Sequence, residues 1–447
     1  MKIIIIGGVA AGMSAAAKAS RIDKTAEIVI YEKTDVLSWG ACGMPYYVGN
    51  FFEDPNIMIA RPVEKFIEAG MNIKIFHEVV GIDPVKKEIQ VINLKTGKVF
   101  TDSYDKLMIA TGATAIMPPI KNLEAKGVFT LKAFEDCFAL KKEMMNEDYQ
   151  NIVIVGAGYI GLEVVEAAKH LKKKNTKIFQ LGERILLESF DKEITDILED
   201  ELKSHKDIGL HLSETVLEIV EENGKVCGIK TDKGEYPADL VVISAGVKPN
   251  TQFVKNTGIK MLGNGAILID EYGRTSVDSI YSAGDCASVY HSIRKEDVYI
   301  PLATTANKIG RIVGENLAGK NTHFKGTLGS AAIKVMDMEA GRTGITENEA
   351  KKMNIDYKVA FIKDKNQTNY YPGQEDIYVK LIYDANSRVL LGAQMAGKKG
   401  AVLRVDALAV AIYSKLTVDE IGMMDFCYAP PFARTWDVMN VAGNAAK

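Results

Sequence analysis

A chain of 447 residues is too long for one ordinary core and points to about three domains. Its 47% apolar and 25% charged residues are those of a globular enzyme, and a net charge of −3 excludes a basic footprint for nucleic acid or a polybasic membrane anchor. No run approaches the ~18 uninterrupted apolar residues of a membrane-spanning helix.

The first predicted element is an apolar strand at Lys2–Ile6. Glycines and an alanine-rich helix over Ala10–Ser20 follow it, so no signal peptide is expected. A second strand, Glu27–Tyr31, ends on Glu32. The same grammar returns about 150 residues later. There Asn151–Val155 is a strand, GAGYIG a turn, Leu162–Leu171 a helix and Lys177–Leu181 the next strand. Leu240–Pro249 reads as one more buried strand, closing this second unit. Ile280–Ala287 is a strand and turn leading to a helix at Thr304–Leu317, a return to the first unit. From Gly326 the texture changes to strands Ile377–Tyr383 and Val389–Gln394 with a helix at Arg404–Lys415.

The expected fold is therefore α/β: two Rossmann-like, doubly wound parallel-sheet dinucleotide-binding domains and a C-terminal α+β domain. Residues 1–118 with 247–322 form the first, 119–246 the second and 323–447 the third. The nucleotide strands are too apolar to be half exposed, as suits parallel sheets covered on both faces.

Gly156, Gly158 and Gly161 satisfy GxGxxG between strand and helix. Such glycines allow the tight turn, close approach of a pyrophosphate and helix–strand packing, with the phosphates at the helix N-terminus. The first turn departs from this pattern, with Gly7 and Gly12 in the outer places, Val9 in the middle and Gly8 beside it. Glu32, about twenty residues on at a strand end, supplies the acid that binds a ribose diol. In the second unit Gln180 takes that place, neither repelling a 2′-phosphate nor holding a diol strongly. Glu183, Lys177 and Arg184 lie near enough in sequence to tip the balance, so NADH against NADPH stays open.

Five cysteines, Cys42, Cys137, Cys227, Cys286 and Cys427, form no CxxC pair. Their scatter argues against a disulfide framework and for a reducing, cytoplasmic setting. No metal site is expected, because the six histidines do not cluster with them. Ser38 to Gly43 is a small, polar turn expected to open a helix, where the dipole would favour a Cys42 thiolate able to attack a disulfide or peroxide. Cys137, Cys227 and Cys286 read as small buried hydrophobes, and Cys427 adjoins Tyr428.

These residues together resemble the pyridine nucleotide–disulfide oxidoreductases from the first strand to the C-terminus. Thr111-Gly112 and Ser282–Ala287 are similar to the family's second and third flavin-contact motifs, which implies that Asp285 holds the ribityl chain of FAD. Gly7, Gly8, Ala11, Gly12, Glu32, Lys33, Thr111, Gly112 and Ala303 are the other implied FAD contacts. Gly156, Gly158, Tyr159, Ile160, Gly161 and Gln180 are those for NAD(P). Tyr159 resembles an aromatic lid that moves when the nicotinamide docks. Trp39-Gly40-Ala41-Cys42-Gly43-Met44-Pro45-Tyr46 contains one cysteine where most members have a CxxxxC pair. It looks like the branch of coenzyme A–disulfide reductases, NADH oxidases and NADH peroxidases.

Oxidases and peroxidases of that branch usually carry a histidine where this chain has Ala10, whereas its GGxAAG form is similar to the coenzyme A–disulfide reductases. The resemblance implies a homodimer in which Tyr370, of the Tyr370-Tyr371-Pro372 run, and Tyr428, opening Tyr428–Pro431, reach the neighbouring subunit's cysteine. Ser14, Lys18, Arg21, Ser38, Tyr371 and Trp436 are implied contacts for coenzyme A. Ala41 and Asn307 depart from the branch, standing where asparagine and histidine are found. Soon after these motifs the chain reaches Lys447, so an appended sulfurtransferase domain is not expected.

The reading is an NAD(P)H-dependent flavoenzyme reducing coenzyme A disulfide, or the persulfide or polysulfide, through a Cys42 mixed disulfide. An NADH oxidase passing electrons to oxygen is the alternative. A flavoprotein sensor of NAD(H) without catalytic turnover comes third, because it has no use for Cys42.

Overall fold

The computed structural model describes residues 1–447. Its first parallel sheet has the strand order Ile280–Ser282, Lys106–Ile109, Lys2–Ile6, Glu27–Tyr31, Asn72–Lys74. Ile3, Ile4 and Ile5 are fully buried, as a strand covered on both faces requires. One cover is the helix Ala10–Ile22, which crosses the helix Ala303–Leu317 at close range. Glycine makes that crossing possible: a Cβ on Gly310 would stand 2.5 Å from the Ala11 carbonyl oxygen, and one on Gly314 2.4 Å from that of Ala15.

A second sheet repeats the design, in the order Ile208–Leu212, Asn175–Gln180, Asn151–Val155, Leu240–Ile243, Val128–Phe129, all parallel. The expected single strand Leu240–Pro249 is in fact two. Leu240–Ile243 closes the sheet, the chain turns at Gly246 with φ +103°, and Val247–Pro249 pairs antiparallel with Ala113–Ala115. That ribbon joins the two units. Asn250 fastens it, donating from its backbone N–H to the Gly112 carbonyl at 2.9 Å and from its side chain to the Thr111 carbonyl at 3.1 Å. Two antiparallel three-stranded meanders, His77–Ser103 and Val216–Pro237, ride on the sheets and carry no signal that the sequence reading used.

The C-terminal sheet is wholly antiparallel, in the order Ala331–Val335, Met338–Gly344, Leu390–Gly397, Asp376–Asp384, Tyr357–Lys365. A helix Ala401–Tyr413 packs on it and starts three residues before the expected Arg404, because Gly400 adopts φ +84° and launches it. Lys380, 1% exposed, ties this sheet to the second unit by donating to Glu193 at 2.7 Å and Glu347 at 2.6 Å, with Asp191 at 3.5 Å. No helix is long and apolar enough to cross a membrane.

Candidate active site

The two glycine turns are built alike at their outer glycines. Gly7 and Gly156 have φ of +103° and +107°, and a Cβ on either would strike the carbonyl of Ala110 or Ser244 on the neighbouring strand. Gly12 and Gly161 pass so close to the preceding turn that a Cβ would lie 1.9 and 2.0 Å from the carbonyls of Gly7 and Gly156. Gly158 has open space in front of it, the room a pyrophosphate needs. Val9, which takes the equivalent place as N-cap of the first helix, leaves less room, and Gly8 beside it is required by Leu37, 2.9 Å from its missing Cβ.

The acid and the amide occupy the same socket. Gly8 N–H donates to Glu32 Oε2 at 2.7 Å; Ala157 N–H donates to Gln180 Oε1 at 2.9 Å. Glu32 is buried, and its other oxygen accepts from Thr34 N at 2.9 Å. Lys33 points to solvent. Lys177 donates to Asn175, while Arg184 is buried with Glu183 3.6 Å away; neither makes a hydrogen bond with Gln180.

The implied contacts of the first site lie where the parallel strands end. Thr111 and Gly112 follow Lys106–Ile109, Asp285 follows Ile280–Ser282, and Ala303 opens the helix Ala303–Leu317. This is the carboxyl edge at which open α/β sheets take ligands. Thr111 hydroxyl is already spent, donating to the Asn250 carbonyl at 2.7 Å, so Thr111 contributes backbone and shape.

Cys42 hangs from the first turn. Ser38, at φ +51°, donates its N–H to the Gly8 carbonyl at 2.8 Å, and Gly40 N–H holds the Met58 carbonyl at 2.7 Å. Ala41–Gly43 is a 3-10 turn running into a five-residue helix, Met44–Val48. The expected thiolate from a helix dipole does not follow. Although Cys42 is solvent-exposed, partial desolvation and the Glu163 carboxylate push its thiol up, with Asp285 adding and Lys132 opposing. So short a helix carries too little dipole to offset two carboxylates.

Two groups that the sequence reading passed over stand out here. Glu163, on the helix Tyr159–His170, is pushed up to about 7 by desolvation and then by Glu166. Lys132 donates to Asp285 Oδ2 at 2.9 Å. Only the one-turn spacing of Glu163 from Tyr159 could have signalled the first; nothing local signals the second. Tyr159 has its hydroxyl buried without a hydrogen bond, facing Ser189 and Arg342. Ile160 follows it in the helix.

The two tyrosine runs meet on the C-terminal unit. Tyr370 and Tyr428 share a hydrogen bond of 2.7 Å between hydroxyls. Thr368 donates to the Pro430 carbonyl at 3.1 Å, binding one run to the other. Tyr370, Tyr371, Tyr428, Phe432 and Trp436 are all exposed. Neither hydroxyl of the pair is among the charged or phenolic groups facing Cys42 in its own chain, which are Glu163, Lys132, Asp285 and Tyr46.

On the first helix, Ser14 donates to Asn307 at 2.7 Å and Arg21 to the Ala17 carbonyl at 2.8 Å, where it lines an open cleft with Ser20, Lys24 and Ala69. Lys18 is paired with Glu315 at 2.9 Å, so its charge is not free as the resemblance implied. Cys137 and Cys286 are buried as expected. Cys227 is exposed on its strand and corrects that expectation: Lys225–Thr231 is the central strand of its meander, and alternation turns Cys227 to the solvent face beside buried Val226 and Gly228.

Two nucleotide sockets at strand ends, with a single accessible cysteine turn hung from the first, define a two-nucleotide oxidoreductase. Comparison places it further. Residues 1–310 match the model of the pyridine nucleotide-disulphide oxidoreductases, and residues 330–439 match that family's dimerisation domain. The chain belongs to this family. It is 38% identical over 447 residues to the NAD(P)H coenzyme A polysulfide/persulfide reductase of Pyrococcus horikoshii, covering 100% of this chain and 98% of that one. It is 33% identical over 448 residues to the coenzyme A disulfide reductase of Staphylococcus aureus, covering 100% of each. Among solved structures, the NADH-bound water-forming NADH oxidase from Lactobacillus brevis superposes with a TM-score of 0.95 at 30% identity, covering 100% of this chain and 98% of that one. Enzymes of this family carry FAD and draw electrons from a pyridine nucleotide. The sockets fit both groups: Glu32 keeps acceptor capacity beside Gly8, and Gly158 leaves open the approach of a phosphate.

Proposed function

We propose that the chain is an NAD(P)H-dependent reductase of coenzyme A disulfide, or of coenzyme A persulfide or polysulfide, working through a mixed disulfide on Cys42. The observation that carries this is the setting of Cys42. It is accessible, hung from the first nucleotide socket, and faces the helix of the second through Glu163, with no other cysteine within its turn or helix. A single sulfur so placed needs a partner sulfur from a small molecule.

In this reading Gly7, Gly8, Ala11, Gly12, Glu32, Lys33, Thr111, Gly112, Asp285 and Ala303 hold FAD, and Gly156, Gly158, Tyr159, Ile160, Gly161 and Gln180 hold NAD(P). The reading divides the chain into 1–118 with 247–322, 119–246 and 323–447, and the separate match at 330–439 agrees with a C-terminal unit of its own. Bound FAD supplies a two-electron relay between the nicotinamide and the sulfur. The chain's own part is to position. Cys42 as thiolate attacks the incoming disulfide sulfur, forming Cys42–S–S–CoA and releasing one thiol. Tyr428, its acidity lowered by the bond with Tyr370, steadies the leaving thiolate from the partner subunit in a homodimer. Ser14, Arg21, Ser38, Tyr371 and Trp436 meet the nucleotide of coenzyme A, with Lys18 reaching it only if it leaves Glu315. The cytoplasm is the compartment this thiol chemistry suits.

An NADH oxidase is the second reading, supported by the likeness to the Lactobacillus enzyme. Ala10 weighs against it, since no base stands in that turn to serve a peroxide.

Mass spectrometry of the unreduced, denatured protein, with Cys42 mapped by digestion, tests the reading. A coenzyme A adduct on Cys42 that reductant removes is expected. An unmodified or oxidised Cys42, even after incubation with coenzyme A disulfide, would overturn it in favour of the oxidase.

A further inference from the structure

The two sockets share a frame but differ in what they offer a nucleotide. In the first, Glu32 is held by three donors: Gly8 N–H on Oε2 at 2.7 Å, and the Thr34 N–H and hydroxyl on Oε1, both at 2.9 Å. A carboxylate has only lone pairs to give, so the strand end there presents an acceptor.

Gln180 has one oxygen and one nitrogen, and the backbone decides which goes where. Ala157 N–H needs an acceptor and takes Oε1 at 2.9 Å. Nε2 is thereby left as the free end of the amide; it is not buried, and its two N–H groups make no hydrogen bond within the chain. Gly182 stands two residues past Gln180, as Thr34 stands two past Glu32. It brings no hydroxyl, and its own N–H, like those of Leu181, Glu183 and Arg184, has no partner in the chain. Its φ is not positive, so the backbone does not demand glycine. What a side chain would meet explains it better: a Cβ at 182 would stand 3.1 Å from Gln180 Nε2 and 3.0 Å from Leu187 Cδ2. Glycine keeps the amide nitrogen uncovered.

One strand end thus offers an acceptor and the other offers donors. A ribose 2′-hydroxyl can accept from an N–H, and a 2′-phosphate accepts better, with three oxygens. No carboxylate ends this strand to repel that phosphate. Nor does a cation make the site one for phosphate alone: Lys177 donates to Asn175 at 2.6 Å, and Arg184 is buried beside Glu183. The Glu183 side chain is 75% exposed, where salt and water screen its charge.

We infer that the second socket takes NADPH as well as NADH, and that Gln180, turned donor-outward by Ala157, and Gly182, which leaves it uncovered, set this tolerance. The inference rests on the reading that this socket holds the pyridine nucleotide; it is independent of Cys42 and of the electron acceptor.

The test is calorimetric titration of the oxidised, FAD-loaded protein with NAD+ and with NADP+, which bind without turnover. The two Kd values are expected within about tenfold of each other. Gln180→Glu keeps the bond from Ala157 and replaces the donors by a charge; it should weaken NADP+ about tenfold or more while NAD+ holds or tightens. Gly182→Val, crowding the amide nitrogen, should weaken NADP+ more than NAD+. NADP+ bound more than tenfold more weakly than NAD+ by the unmodified protein would overturn the inference, as would a Gln180→Glu variant with an unchanged ratio. Binding of neither nucleotide would instead remove the socket assignment on which the inference stands.

Discussion

Glu163 offers a stability experiment whose sign and size follow from its surroundings. Its carboxyl, half-sheltered on the helix Tyr159–His170, is raised from 4.5 to about 7 by desolvation and by Glu166 one turn on. The folded chain thus keeps this proton to higher pH than the unfolded chain does. Folding takes up a proton between pH 4.5 and 7, so the stabilisation present below 4.5 is lost as pH rises through 7. A shift of this size corresponds to an upper bound of about 3 kcal/mol. Glu163→Gln removes the ionisation and keeps the shape. At pH 5 the variant and the parent should melt within about a degree of each other. At pH 8 the variant should be the more stable, by about 4 °C if a chain of this length melts as one unit. Thermal melts from pH 5 to 8 measure the difference directly. Curves that stay parallel across that range would refute the assignment of a raised carboxyl to Glu163.

Lys380→Met strands the carboxylates of Asp191, Glu193 and Glu347 at the seam between the second unit and the C-terminal sheet; a loss of about 3–5 kcal/mol is expected in denaturant unfolding. Gln180→Glu places a charge in the second socket, so KM for NADPH should rise about tenfold or more while that for NADH stays flat or falls, as steady-state kinetics would show. Tyr428→Phe should slow disulfide turnover about tenfold or more, with anaerobic reduction of the flavin by NADH unchanged in stopped flow. An equal loss in both half-reactions would remove Tyr428 from the thiol chemistry.

Both glycine turns, Glu32 and Gln180 were legible in the sequence because each is a local pattern whose geometry the backbone imposes. Gly7 and Gly156 have to reach positive φ, and the acid and the amide end strands that must lie beside those turns. Legibility stopped where distance in the chain began. Lys132 and Asp285 are 153 residues apart and meet only because the ribbon of Ala113–Ala115 with Val247–Pro249 folds one unit against the other. The run Leu240–Pro249 looked like one strand because its apolar residues continue; the reversal at Gly246 shows only in φ. For Cys42, the local pattern located an accessible thiol but misjudged its acidity, since the burial and the carboxylates that raise it come from elsewhere in the fold.

The matched pair of sockets bears on how long each nucleotide stays. A carboxylate such as Glu32 offers charge-assisted bonds, whereas the amide of Gln180 offers neutral ones from the same position. Under the proposed reading, one fold written twice would give a tenant and a visitor: a nucleotide retained through many turnovers, and another that must come and go once in each.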